Sequence, residues 1–383
     1  MGIQNMVRFL HTADWHLGMK YAQLGPKAGR ARKIRMETVE RLLKTAKEKN
    51  VDFILVAGDT FDSNEVDSKT IRELCADLSK TALPVYILPG NHDPLTRDSP
   101  YNDPLWDEVE NVRILKKAEP LEIGDNVTLY PCPVRQKQSR SDPTSWINPE
   151  GNGISIGVAH GNLDFTKNTN FPINPETPLD YLALGEWHSL FQTGCTVYPG
   201  TPETTKFGEA KSGNIVIVNL DDGCKPEVEA VKTGQLRWES PEFSVNSIGD
   251  VKNLENSFSD ENLVLNLRLK GVVGQDSFNY LENLKMNDLF FFNLETRNLY
   301  LKPSMLEFQA MIPDGSYLPK TFRALTALMK QHPETEKLSD VSLEDAREIF
   351  RELNHTESVE KASPEVLKRA LLLLYQMVKE VSQ

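Results

Sequence analysis

Short apolar runs alternate with helical stretches through the first half of the chain. Residues 7–11 read as a strand, and residues 31–49 carry apolar side chains at helical spacing. Phe53–Ala57 is an unbroken apolar run, short enough for a buried strand. Residues 68–80 predict a second helix with Asp67 or Ser68 as its N-cap. Val85–Leu88 predicts a third strand, ended by Pro89 and Gly90. This βαβαβ order predicts a mostly parallel sheet with helices packed on it. Further strands are predicted at 127–131, 154–159, 181–184, 196–198 and 215–220, with few helix signals between them. The expected fold class is therefore α/β, a two-sheet sandwich with outer helices.

The pattern changes near Trp238. Residues 263–269 alternate as Leu-Val-Leu-Asn-Leu-Arg-Leu, a strand signature. A short helix over 278–285 and a strand over 289–294 follow, together a small βαβ module. Beyond Pro319 the pattern is helical, over 344–353 and again from Pro364, with an apolar stripe at Leu367, Leu371, Leu374 and Met377. The expected organisation is a large domain over 1–235, a small one over 236–312 and a helical segment over 313–383.

Charge narrows the function. The 383 residues carry a formal net charge of −12, which argues against coating nucleic acid by bulk charge. A local basic patch beside bound divalent metals stays compatible with a nuclease. One such patch is Lys20, Lys27, Arg30, Arg32, Lys33 and Arg35; a second is Arg135, Lys137 and Arg140. Each reads either as a solvated surface or as a set of phosphate contacts with a salt-dependent effect. Cys75, Cys132, Cys195 and Cys224 are scattered and form no C-x-x-C pair, which predicts a reduced, cytoplasmic protein. The start of the chain lacks the basic-then-apolar pattern of a signal peptide, and no apolar run reaches the roughly 18 residues of a membrane span. No membrane association is expected.

Five short segments carry the candidate chemistry, four of them just past a predicted strand. They are Asp14-Trp15-His16, Gly58-Asp59, Gly90-Asn91-His92-Asp93, His160-Gly161 and Gly185-Glu186-Trp187-His188. In open α/β sheets the ligand crevice lies at the carboxyl ends of strands. Taken singly, each segment has a plain reading: D-x-H a capped turn, G-N-H-D a hairpin turn, His160 a satisfied buried histidine. Their conjunction in order overrides these readings. Of seven histidines, four (His16, His92, His160 and His188) fall in the five segments. His332 and His355 lie in the helical tail and read as surface residues, and His11 on the first strand reads as structural. Asp, Asn and His donors without a thiolate suit Mn²⁺, Fe or Zn²⁺ over Mg²⁺ or Ca²⁺.

The order D-x-H, G-D, G-N-H, H, G-x-H resembles the calcineurin-like metallophosphoesterases. Within them, His11-Thr12-Ala13-Asp14-Trp15-His16-Leu17-Gly18 and Gly58-Asp59-Thr60-Phe61-Asp62 are similar to DNA-repair nucleases of the Mre11 and SbcD type. Pro199-Gly200-Thr201-Pro202 and the later βαβ module resemble that subfamily too; the likeness is strong over roughly residues 6–220, lower to about 310 and weak beyond. The resemblance implies an αββα phosphoesterase domain, a DNA-binding capping domain over 236–312 and a two-metal site, most simply Mn²⁺. It implies Asp14, His16 and His188 on one ion, Asn91, His160 and Glu186 on the other, and Asp59 bridging. His92 is implied as the acid that meets phosphate and leaving group. At one ligand the chain departs from the family, with Gly185-Glu186-Trp187-His188 where the motif is G-H-x-H. The implied function is a metal-dependent DNA exo/endonuclease, a homodimer docked by its C-terminal helices onto an SMC-like ATPase of the Rad50/SbcC type. Core packing of that tail is the alternative for the Leu367 stripe. The competing functions are a phosphatase or phosphodiesterase on a non-DNA substrate, and a non-catalytic scaffold with a degenerate metal site.

Overall fold

Strands form in this chain where short β-rich apolar runs end in glycine or in polar residues, and those ends build the site. The computed structural model describes residues 6–124, 126–149, 153–163, 170–221 and 225–301, with Leu325 and Ala370. The described chain divides into two compact units. The first comprises Met1–Ser240, Ser259–Asn266 and Asn287–Asn293; the second comprises Pro241–Phe258, Leu267–Met286 and described residues from Leu294 onward.

In the first unit the strands are, in chain order, β1 (Val7–Thr12), β2 (Phe53–Ala57), β3 (Val85–Leu88), β4 (Val112–Ile114), β5 (Leu121–Ile123), β6 (Val127–Cys132) and β7 (Ile154–His160). Then come β8 (Asn162–Leu163), β9 (Pro172–Ile173), β10 (Tyr181–Gly185), β11 (Phe191–Thr193), β12 (Thr196–Tyr198), β13 (Asn214–Leu220) and β14 (Glu227–Lys232). One six-stranded sheet has the order β14-β13-β1-β2-β3-β4, and a second has β11-β12-β10-β7-β6-β5. β1 to β4 run parallel, as do β12, β10, β7 and β6; the antiparallel pairings lie toward the edges.

Side-chain alternation decides the layers. Leu10, Ile54, Val56, Val85 and Ile87 face α1 (Ala28–Glu48) and α2 (Ser68–Leu78), meeting Val39, Leu42 and Ala46 of α1 and Ile71, Leu74 and Leu78 of α2. Phe9, Phe53, Leu55 and Ala57 face the opposite way, onto Ile156, Val158, Tyr181 and Ala183 of the second sheet. Between the sheets Phe9 stacks on Phe53 at 5.0 Å and meets the edge of Tyr181 at 5.2 Å. Each such pair adds roughly 0.5–1.5 kcal/mol beyond burial. Asp67 caps α2, its carboxylate accepting from the Thr70 amide at 2.7 Å. On the outer face of the second sheet, Leu182, Leu184 and Tyr198 are covered by Trp146, Ile147 and residues of β8 and β9.

After the first unit's β15 (Arg237–Glu239) come β16 (Glu242–Val245), α3 (Ile248–Ser257), β17 (Leu263–Val273), α4 (Gln275–Glu282) and β18 (Phe291–Leu301). β16 runs parallel to β17, and β18 pairs with β17. Sequence periodicity predicts β17, α4 and β18 but not β16 or α3. The miss has a reason: α3 buries one apolar residue, Val251, and starts from a capping box between Ser247 and Asp250. The helices expected over 344–353 and 364–381, with His332 and His355, lie outside the described residues. No helix of the described residues is long and apolar enough to cross a membrane.

Candidate metal centre

The five segments meet at the carboxyl ends of β1, β2, β3, β7 and β10. Two of the turns are laced together: the Asp14 amide donates to Gly58 O at 3.0 Å, His16 N to Asp59 O at 3.0 Å and Leu17 N to Thr60 O at 2.9 Å. These bonds hold Asp14, His16 and Asp59 at φ of 55°, 43° and 52°, and Glu186 stands at 101°. Non-glycine residues in this region cost about 1–3 kcal/mol each and cluster at functional sites. Glycine is required where the approach is closest. A Cβ on Gly58 would lie 2.1 Å from His160 Nδ1, and one on Gly90 would lie 2.1 Å from Asp59 Oδ1.

The donor atoms converge. Asp14, His16 and His188 can hold a cation together, as can Asp14, Asp59 and His160, each set offering atoms within 4.8 Å of one another. His16 Nε2 lies 3.1 Å from His188 Nε2. Asp59 Oδ2 lies 3.8 Å from His16 Nε2, of the first set, and 3.3 Å from His160 Nε2, of its own. Glu186 Oε2 is 3.1 Å from His160 Nε2 and accepts from Asn91 Nδ2 at 2.7 Å. The sequence-selected residues are thus all brought to one place.

Tautomers follow from the surrounding acceptors. His160 Nδ1–H donates to Ala57 O at 2.8 Å, and His188 Nδ1–H to Glu209 Oε1 at 2.6 Å. Each ring therefore turns an Nε2 lone pair into the cluster, the arrangement typical of metal-binding imidazoles. Asn91 Oδ1 is buried without a hydrogen-bond partner among the described residues, and a lone pair on His160 Nε2 or His16 Nδ1 would face carboxylate oxygens at 3.1 and 3.3 Å. Such orphaned polar atoms are costly unless something satisfies them. This donor set fits divalent ions.

Electrostatics point the same way. Burial opposes charge on His160, yet Asp59 and Glu186 outweigh it and hold its pKa well above the ordinary value. Burial likewise opposes charge on His188, and Glu209 outweighs it, raising His188 while falling itself to about 2. Burial raises Asp59, but His160 and His16 outweigh it and keep it ionised. An acid-rich pocket that draws protons onto imidazoles also draws cations, and the two compete for the same lone pairs.

His92 stands apart. Its ring is exposed, its amide donates to Asp59 Oδ1 at 3.0 Å, and its Nδ1 donates to Asp62 O at 2.9 Å. That leaves Nε2 directed away from Asp62. The following Asp93 is structural: buried, it accepts from Gly90 N at 2.7 Å, Phe61 N at 2.8 Å and Tyr101 OH at 2.5 Å.

Sequence reading missed Glu209, which has no motif of its own and reaches His188 only through tertiary packing. It also misplaced Arg35. Expected as a DNA contact, Arg35 is 2% exposed, donating to Tyr21 OH at 2.6 Å, Trp15 O at 2.7 Å and Glu203 O at 2.7 Å. It lies on the inward face of α1 and braces the Asp14–His16 turn from behind. Lys20, Lys27, Arg30, Arg32 and Lys33 are exposed as expected. Their charge is partly spent, because Arg30 and Lys33 pair with Glu37 at 3.3 and 3.7 Å and Lys27 lies 5.6 Å above the Phe290 ring. His11 is buried and bonds Tyr181 OH at 2.9 Å.

Fold and donor set together define a metal-dependent phosphoesterase. Residues 7–218 match the family model described as calcineurin-like phosphoesterase, and the chain belongs to that family. It is similar to an uncharacterized metallophosphoesterase, YhaO, of Bacillus subtilis, 25% identical over 292 residues that cover 69% of each chain. It is similar to a component of the nuclease SbcCD of Escherichia coli, 36% identical over 90 residues, 23% of this chain and 21% of that one. The DNA double-strand break repair protein Mre11 of Archaeoglobus fulgidus is 26% identical over 235 residues, 53% of this chain and 52% of that one.

Proposed function

We propose that this protein is a two-metal DNA phosphodiesterase, an exo/endonuclease. The observation that carries the reading is the convergence of Asp14, His16, Asp59, Asn91, His160, Glu186 and His188, with His92 exposed beside them. Asp14, His16 and His188 would hold one ion and Asn91, His160 and Glu186 the other, with Asp59 serving both; Mn²⁺ would suit the mixed nitrogen and oxygen donors. Bound there, the ions supply Lewis acidity toward phosphoryl oxygens. His92 donates its Nδ1–H to Asp62 O, and its Nε2 is the position from which a proton would pass to the departing oxygen. The likeness to nuclease and break-repair chains supports DNA as the substrate. A homodimer, a Rad50/SbcC-type ATPase partner, a cytoplasmic setting and a capping domain over 236–312 belong to the same reading.

The test is hydrolysis of labelled single- and double-stranded DNA with Mn²⁺, beside a chromogenic phosphodiester. Failure to degrade any DNA form with any divalent metal, alone or with the ATPase, rejects the nuclease reading. Two variants probe the ligand set. Glu186→Ala should empty the second ion's site selectively, while Glu186→His should keep both ions with equal or higher activity, since imidazole leaves the ions stronger Lewis acids. Anomalous scattering from Mn²⁺-soaked crystals reads both occupancies, and a fully occupied alanine variant removes Glu186 from the ligand set. Glu209→Gln should weaken Mn²⁺ binding by about 10–100-fold, because the charge that orients His188 is gone. Calorimetric titration that finds unchanged affinity would mean His188 needs no such support.

A further inference from the structure

Between Glu186 and His188 the chain carries a tryptophan that no part of the metal centre uses. Trp187 is 54% exposed, although Trp15 and Trp106 are buried and Trp146 and Trp238 half-buried. Among the described residues its indole has no hydrogen bond, ring contact or cation partner. Its backbone is nonetheless held on both sides. Glu186 N donates to Asp14 Oδ1 at 3.1 Å, and His188 O accepts from Thr201 N at 3.1 Å. With both neighbours turned into the donor cluster, the exposed indole is carried on a backbone segment held at the edge of that cluster.

Two cations stand on segments bonded to this loop and to His188. Lys206 and Lys211 are exposed, and neither side chain has an ion-pair partner among the described residues. Lys206 follows Thr205, whose amide donates to the Glu209 carboxylate at 2.7 Å, the carboxylate that also holds His188. The carbonyl of Lys211 accepts from Leu190 N at 3.1 Å, tying it to the loop that bears Trp187. An aromatic plate beside free lysines is how single-stranded nucleic acid is held without sequence readout: bases stack and phosphates are neutralised. In the patch after β1, by contrast, Arg30 and Lys33 are paired with Glu37.

We propose that Trp187, with Lys206 and Lys211, forms the subsite for an unpaired nucleotide next to the scissile phosphate, the indole stacking on its base and the lysines on its phosphates. The proposal rests on the nuclease reading above. Trp187 is a substrate-binding residue there, and the strand it receives is unstacked, which favours single-stranded or frayed ends.

The test uses the full chain with Mn²⁺ and a short single-stranded oligodeoxynucleotide, beside the same oligonucleotide with abasic positions. Trp187→Ala should raise KM on the base-bearing strand by about 5–100-fold, with kcat changed far less, and Trp187→Phe should recover most of that affinity. On the abasic strand, wild type and Trp187→Ala should have similar KM. Without metal, the base-bearing strand should quench the wild-type tryptophan emission, and Trp187→Phe should lose that quenching. Lys206→Gln with Lys211→Gln should flatten the salt dependence of binding. If wild type cleaves the strand and Trp187→Ala keeps its KM, the subsite is wrong and the nuclease reading stands, and an accompanying loss of ATPase binding would reassign Trp187 to a protein interface. If wild type cleaves no DNA, both fall together.

Discussion

Purified Asp59→Ala protein is expected to carry neither metal ion and to lose hydrolysis by more than about a thousandfold, since several kcal/mol of charge stabilisation leave with the ions and each 1.36 kcal/mol is tenfold. Asp59 is 2% exposed, and its Oδ2 lies 3.8 Å from His16 Nε2 and 3.3 Å from His160 Nε2. Its other oxygen holds the His92 amide at 3.0 Å. Under the proposed roles, removing it takes away the shared negative charge that lets two cations sit close together. It also frees the turn that carries Asn91 and His92. Metal content by inductively coupled plasma mass spectrometry, with the chromogenic diester assay, measures both consequences. A variant that retains two ions per chain would show that Asp59 does not bridge.

His92→Ala is expected to behave in the opposite way, retaining both ions while DNA hydrolysis falls by about 10²–10⁴-fold. The ring is exposed and lies outside the seven proposed ligands; its link to Asp59 runs through the backbone amide, which alanine preserves. What disappears is the Nε2 proton donor, whose tautomer Asp62 O selects at 2.9 Å. The loss should be smaller on a nitrophenyl ester than on DNA, because nitrophenolate departs without help from an acid and a sugar oxygen does not. Metal loss in His92→Ala equal to that in Asp59→Ala would refute the division between ligand and acid. Equal losses on the two substrates would remove proton donation as its role.

Most of the first unit was legible because its strands are short apolar runs ended by glycine, proline or polar residues. Phe53–Ala57, Val85–Leu88 and Thr196–Tyr198 fall where the pattern puts them. The edge strands β4, β5, β11 and β14 were not legible. They are three to six residues long and mostly exposed or half-buried, so no apolar period marks them; pairing with a neighbour makes them strands. Helix α3 escaped for the same reason, one buried residue being too few to set a helical period.

The candidate site divides along a similar line. By itself the sequence determined which side chains come together at the candidate site, because Asp14, His16, Asp59, Asn91, His92, His160, Glu186 and His188 sit at strand ends, where a parallel sheet collects its loops. Only the tertiary structure decided what holds them. Glu209 reaches His188 across a span of 21 residues, and Ala57 O fixes the His160 tautomer across 103. It also decided that Arg35 is a buried brace, while Arg32 and Lys33, on the same turn of α1, face solvent. All three carry the same charge. Burial, and the carbonyls available to accept from a guanidinium, separate them, and both come from packing that no local pattern encodes.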